Sequence, residues 1–228
     1  MIVIKKDFVP EDTETYCDSG RKTLSSGKAY FMQKDDGSIV YGGKKCAEDN
    51  SNTDLSQIPD FTKSLLKRRD GAERNRRRIK GIIEQNDNSK SKAITYISLR
   101  EEKLIDFMNG KLSYNVLHDY YLNYKKNNDL TQKEIQHILN IEKNEFPKKS
   151  LNNLLTCYAY KYILERTINY LQQNNNTEGI NYINDLLNGE KGLKTFCNLT
   201  NEQIGGLQKW LNYLPRDLRE SDLKKFGR

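Results

Sequence analysis

The sequence predicts an α+β protein that is mainly α, with a small N-terminal β-hairpin module followed by an α-helical bundle. Three observations lead there. Residues 1–50 crowd five of the fourteen glycines into short turns, and two β-forming runs flank Asp35-Asp36-Gly37, the Asp-Gly pairing that closes hairpins. From residue 93 onward, apolar residues recur at helical spacing behind Ser and Thr caps, with Gly or Pro after them. Between these regions, residues 61–92 hold eleven Lys/Arg against four Asp/Glu, whereas the rest of the chain holds 27 of each sign. The entire formal charge of +7 therefore belongs to one stretch. The expected organisation is a β module at residues 1–50, a basic helix at 59–85 and the bundle at 93–228.

At 228 residues, 36% of them hydrophobic, the chain can bury a real core as one large or two small domains. The apolar start Ile2-Val3-Ile4 is far short of a secretory signal core. No run approaches a membrane span, so a soluble cytoplasmic protein with no membrane partner is expected. Cys17, Cys46, Cys157 and Cys197 are too sparse and too widely spaced for a disulfide framework, which points to a reducing compartment.

In the β module, residues 29–34 and 38–41 form the two arms of the hairpin, and Ile2-Val3-Ile4 is expected to add a strand. Cys17-Asp18-Ser19-Gly20 and Gly43-Lys44-Lys45-Cys46 bracket it, with glycine where each C-x₂-C pair of a zinc site would place its second cysteine. Residues 17–46 thus resemble a degenerate treble-clef or zinc-ribbon finger: a knuckle, a hairpin, a second knuckle and a helix start. The resemblance is confined to this module. It implies a docking surface carrying Arg21, Lys22, Lys28, Lys44 and Lys45, offset by Asp35, Asp36, Glu48 and Asp49. Two thiolates do not complete a tetrahedral zinc site, and His118 and His137 are far away in sequence, so no metal or other cofactor is expected. Cys17 and Cys46 then read as small buried apolar residues, the alternative being zinc ligands helped by Asp18 or Asp49.

Pro59 and Asp60 mark the start of the basic segment, with Asp60 placed to cap a helix. At about 100° per residue, Phe61, Leu65, Ala72, Ile79 and Ile83 share one side, while Lys63, Lys67, Arg74 and Arg78 share the other. That is an apolar stripe backed by a cationic ridge, suited to phosphates; a solvated charged face is the plainer reading. Asp70-Gly71 is a potential break, and residues 86–92 read as a polar linker.

The bundle is written as capped helices. Ser98 with Glu101, Thr131 with Glu134, and Thr200 with Gln203 match the capping box, while Ser113, Ser150 and Thr177 are simple starts. Gly110, Pro147, Gly189 and Pro215 supply stops. The longest helix is expected over residues 151–172.

Motifs for chemistry are sparse. His118 and His137 stand on amphipathic helices without Cys or His partners at metal spacing, and no phosphate loop or nucleophile elbow is visible. Pro59-Asp60, then a potential strand over residues 93–99, then Glu101-Glu102-Lys103 superficially resembles the PD…(D/E)xK signature of metal-dependent nucleases, but here the acidic residue and lysine follow the Ser98 cap instead of lying on the strand itself. The expected function is therefore non-enzymatic binding of DNA or RNA, or of a nucleoprotein complex, through backbone phosphates. Lys63, Lys67, Arg68, Arg69, Arg74, Arg76, Arg77, Arg78 and Lys80 are the contact set. The alternative is a phage or mobile-element accessory protein whose cationic cluster meets an acidic patch on a host protein.

Overall fold

The computed structural model describes residues 1–10, 13–16, 24, 27–63, 67–68, 89–145, 147–213 and 221–227. Strands β1 (Ile2–Phe8), β2 (Lys28–Gln33) and β3 (Ile39–Gly42) form an antiparallel sheet in the order β1-β2-β3. The β2–β3 turn is the one that Asp-Gly predicts. Lys34 and Ser38 close it, and Gly37 takes φ +83°, where a side chain would be strained. One face of the sheet, with Val3 and Met32, packs on Cys46 and Ala47 of helix α1 (Lys44–Asn50) and on Ile58. A bulge between Val3 and Lys5 changes the register, so Lys5 pairs with Phe31 and Asp7 with Ala29.

Residues 59–61 run parallel beside β1. The Lys6 amide donates to the Pro59 carbonyl at 2.9 Å, and the Phe61 amide donates to the Lys6 carbonyl at 3.0 Å. Asp60 does not cap a helix; its Oδ1 accepts from the amide and hydroxyl of Thr62, an Asx turn, and Phe61 goes into the core at 1% exposure. A short strand β4 (Lys67–Arg68) then pairs with β5 (Ser221–Asp222). The segment is therefore not one continuous helix from residue 59, because its opening residues are spent on sheet-like backbone bonds. Residues 69–88, which hold the rest of the expected helix, lie outside the described residues.

Helix α2 (Ser89–Ser98) passes directly into a π-helical stretch, Leu99–Leu104, and the turn after it ends with Asn109 and Gly110 at positive φ. Two expectations are corrected here. Residues 89–92 are helical instead of linker, and Ser98 lies inside the helix with αR dihedrals and no capping bond. Helices α3 (Asn115–Asn127), α4 (Gln132–Asn144), α5 (Leu151–Gln173), α6 (Thr177–Asn188), α7 (Leu193–Phe196) and α8 (Asn201–Trp210) follow, close to the expected positions. Thr131 and Thr200 make complete capping boxes, and Ser150 caps α5. The cap of α6 is Asn176, one residue before the expected Thr177, and α3 begins after Tyr114 without a side-chain cap.

Helix α5 is the axis of the core. Leu154, Leu164 and Ile163 are buried, as is Tyr160, against α2, α6 and the last turns of the chain. The C-terminal residues lie along α5: Phe226 stacks on Tyr160 at 5.4 Å, and Asn153 exchanges two hydrogen bonds with Gly227. Among the described residues no helix is long and apolar enough to cross a membrane.

Candidate functional site

The sheet meets the bundle through a charged junction that begins at Asp7, a carboxylate buried to 2% exposure. A buried carboxylate needs partners, and it has several: Lys103 Nζ at 2.6 Å, Lys5 Nζ at 3.4 Å, the Tyr158 hydroxyl donating at 3.0 Å and the Phe8 amide donating at 2.8 Å. Lys103 also lies 5.3 Å from the centre of the Phe61 ring and 5.8 Å from that of Tyr158. Burial, followed by the like charge of Lys103, pulls the Lys5 ammonium below its ordinary value, and Asp7 opposes this. Burial, reinforced by Asp7, raises the Tyr158 phenol, so it stays a proton donor. Next to the junction, Phe8 stacks on Tyr162 at 4.4 Å and Tyr162 donates to the Val9 carbonyl. A Cβ on Gly27 would come within 2.3 Å of that hydroxyl.

The basic segment is rooted here. Phe61, its first residue, lies under Lys103, and at its other end the Ser91 hydroxyl donates to the Ile58 carbonyl at 2.8 Å. The two ends of the most cationic stretch are thus tied to one place on the body. Lys90 adds a bond to Asp129 at 2.6 Å, just beyond α3, and this bond holds the Asp129 carboxyl below its usual value.

The π-helical stretch brings three consecutive charged residues to four partners. Lys103 reaches Asp7; Glu102 accepts from the Tyr121 hydroxyl at 3.1 Å and lies 3.7 Å from Lys125; Glu101 Oε2 lies 2.9 Å from His118 Nδ1. In the same stretch, Arg100 is fully buried and donates to the Leu112 carbonyl, the Tyr96 hydroxyl and Glu145. An extra residue in a helical turn is a frequent feature of working sites. His118, Tyr121 and Lys125 share one face of α3 because they recur at helical spacing.

Of the sequence-predicted contact set, Lys63 is exposed in the turn after Phe61, and Lys67 and Arg68 provide backbone to β4. Arg69, Arg74, Arg76, Arg77, Arg78 and Lys80 lie outside the described residues, as does Cys17. Cys46 is disulfide-bonded, whereas Cys157 and Cys197 are free and buried. Neither a thiolate ligand nor a simple apolar residue describes Cys46, and the expectation of four reduced thiols is corrected. Among the described residues, no group of three His, Cys, Asp or Glu side chains is placed to hold a metal ion. Of the cations assigned to the finger, Lys44 pairs with Glu48, and Lys28 is pulled down by burial and by Lys6.

The charged junction and the Glu101–His118 pair were not singled out from sequence. Asp7 and Lys103 are 96 positions apart, and such pairings have no local signature. No family model matches the chain, and neither a curated protein nor a solved structure does.

Proposed function

We propose that the chain binds nucleic acid through backbone phosphates, using residues 61–92 as its cationic element. The observation that carries this reading is the segregation of charge: the whole +7 surplus lies in a segment whose two ends are fastened together on an otherwise neutral body. Supporting it, the buried carboxylates Asp7 and Glu101 are partnered by Lys5, Lys103 and His118 from the body. The side chains of Lys63, Arg69, Arg74, Arg76, Arg77, Arg78 and Lys80, with Lys67 and Arg68, are the proposed phosphate contacts. DNA, RNA and a nucleoprotein complex all offer that chemistry.

The test is charge reversal. Arg74, Arg76, Arg77 and Arg78 changed together to Glu should abolish binding to short DNA and RNA duplexes and single strands, with the helical circular dichroism spectrum retained. Loss of the spectrum would make these arginines structural. Wild-type protein that ignores both polymers at low salt, yet captures an acidic host protein through the same arginines, would establish the accessory-protein reading instead. A cytoplasmic setting goes with this function, although disulfides such as that of Cys46 are rare there. Alkylation at the moment of lysis decides: a trapped Cys46 thiol places the chain in a reducing compartment.

A further inference from the structure

We propose that Glu101 and His118 form a proton-transfer site that cleaves bound RNA at its 2′-hydroxyl, an inference that rests on the nucleic-acid reading above. The pair has the asymmetry that such chemistry needs. The Glu101 side chain is 4% exposed and that of His118 is 52% exposed, with 2.9 Å between Oε2 and Nδ1. A carboxylate only accepts hydrogen bonds, so the shared proton sits on Nδ1 and Nε2 presents its lone pair away from Glu101. That arrangement makes an imidazole a base whose orientation and tautomer are set from beneath. Glu101 Oε1 is buried with no hydrogen-bond partner among the described residues, which concentrates the role of this carboxylate on His118.

The surroundings suit a nucleotide. Tyr114, the residue that opens α3, and Leu122 lie four positions to either side of His118 and are 43% and 51% exposed. An exposed tyrosine ring is a stacking platform for any base. Lys125, on the same face, is 57% exposed at 3.7 Å from Glu102, within reach of a phosphate. The ends of the cationic segment lie beside the same elements: Phe61 beside Lys103 of the π-helical stretch, and Lys90 bonded to Asp129 just beyond α3.

The step balances with water alone. Nε2 of His118 takes the proton of the 2′-hydroxyl, the 2′-oxygen bonds to the adjacent phosphorus, and the bond from phosphorus to the 5′-oxygen breaks. The leaving oxygen takes a proton from water, and the imidazolium returns its proton to the hydroxide left behind. The products are a 2′,3′-cyclic phosphate and a 5′-hydroxyl.

The experiment uses the full chain with a fluorescent unstructured RNA oligonucleotide and its 2′-deoxy counterpart, at low salt with a chelator present, following anisotropy and cleavage in the same samples. The expected result is that both are bound, the RNA alone is cut, and its 5′ fragments end in cyclic phosphate. His118→Ala should lower cleavage about 100-fold or more with the circular dichroism spectrum retained, and Glu101→Gln should lower it and alter its pH profile. RNA that is bound and stays intact overturns this inference and leaves the binding reading standing. Cleavage of the deoxy strand, or cleavage that survives His118→Ala, also overturns it. If neither polymer is bound, both proposals fall.

Discussion

Asp7 shows how a single residue holds the two parts of the molecule together. It belongs to the sheet by sequence and to the bundle by its bonds, since Lys103 and Tyr158 both come from helical elements. Replacing it with Ala leaves the largely buried Lys103 ammonium without its closest carboxylate, and breaking such a pair costs about 3 kcal/mol or more. Urea unfolding of Asp7→Ala should show that loss, whereas Lys44→Ala, which removes an exposed pair with Glu48, should cost under about 1 kcal/mol. Equal effects would mean that Asp7 is not the fastening point. Gly27 makes the same junction sensitive to shape, because it combines φ +62° with the close approach of the Tyr162 hydroxyl.

Helices follow local rules wherever the rules meet no competitor. Thr131 with Glu134 and Thr200 with Gln203 close capping boxes as their spacing predicts, because each bond spans three residues and the helix face there is exposed. Thr131→Ala and Thr200→Ala should each cost about 1 kcal/mol in thermal or urea unfolding. Ser98-x-x-Glu101 has the same spacing but no cap, since Glu101 turns to His118 and the helix already runs from Ser89. Ser98→Ala should therefore cost less than Thr131→Ala, and a larger loss would restore the cap. The α2 helix was obscured for a related reason. Ala93 to Arg100 are buried on every side, so the run lacks the alternation that separates a helix from a buried strand. The hairpin was legible because Asp-Gly is a local signal, whereas the π-helical stretch depends on partners far away in sequence. The basic segment was legible as charge and misread as helix at its start, where backbone bonds to Lys6 and to β5 prevail.

For the whole molecule, the tyrosines give a pH signature. Burial raises the phenols of Tyr96, Tyr158 and Tyr160 well above the ordinary value of 10.0, and that of Tyr121 rises as well. The unfolded chain loses these protons first, so their stabilising contribution is complete below pH 10 and falls as pH rises beyond it. Phenolate absorbance should therefore lag behind that of free tyrosine and then jump together with loss of helical circular dichroism. A smooth titration with the helices intact would show the phenols to be open to water. The same scale governs the proposed function, because a body balanced in charge leaves the cationic segment as the element proposed to meet a polyanion. The most direct measurement is the affinity of the purified chain for a short RNA or DNA as salt is raised from 50 to 200 mM. Six or more phosphate contacts predict a loss of roughly 1,000-fold; an affinity indifferent to salt, or no binding at the lowest salt, would contradict the account.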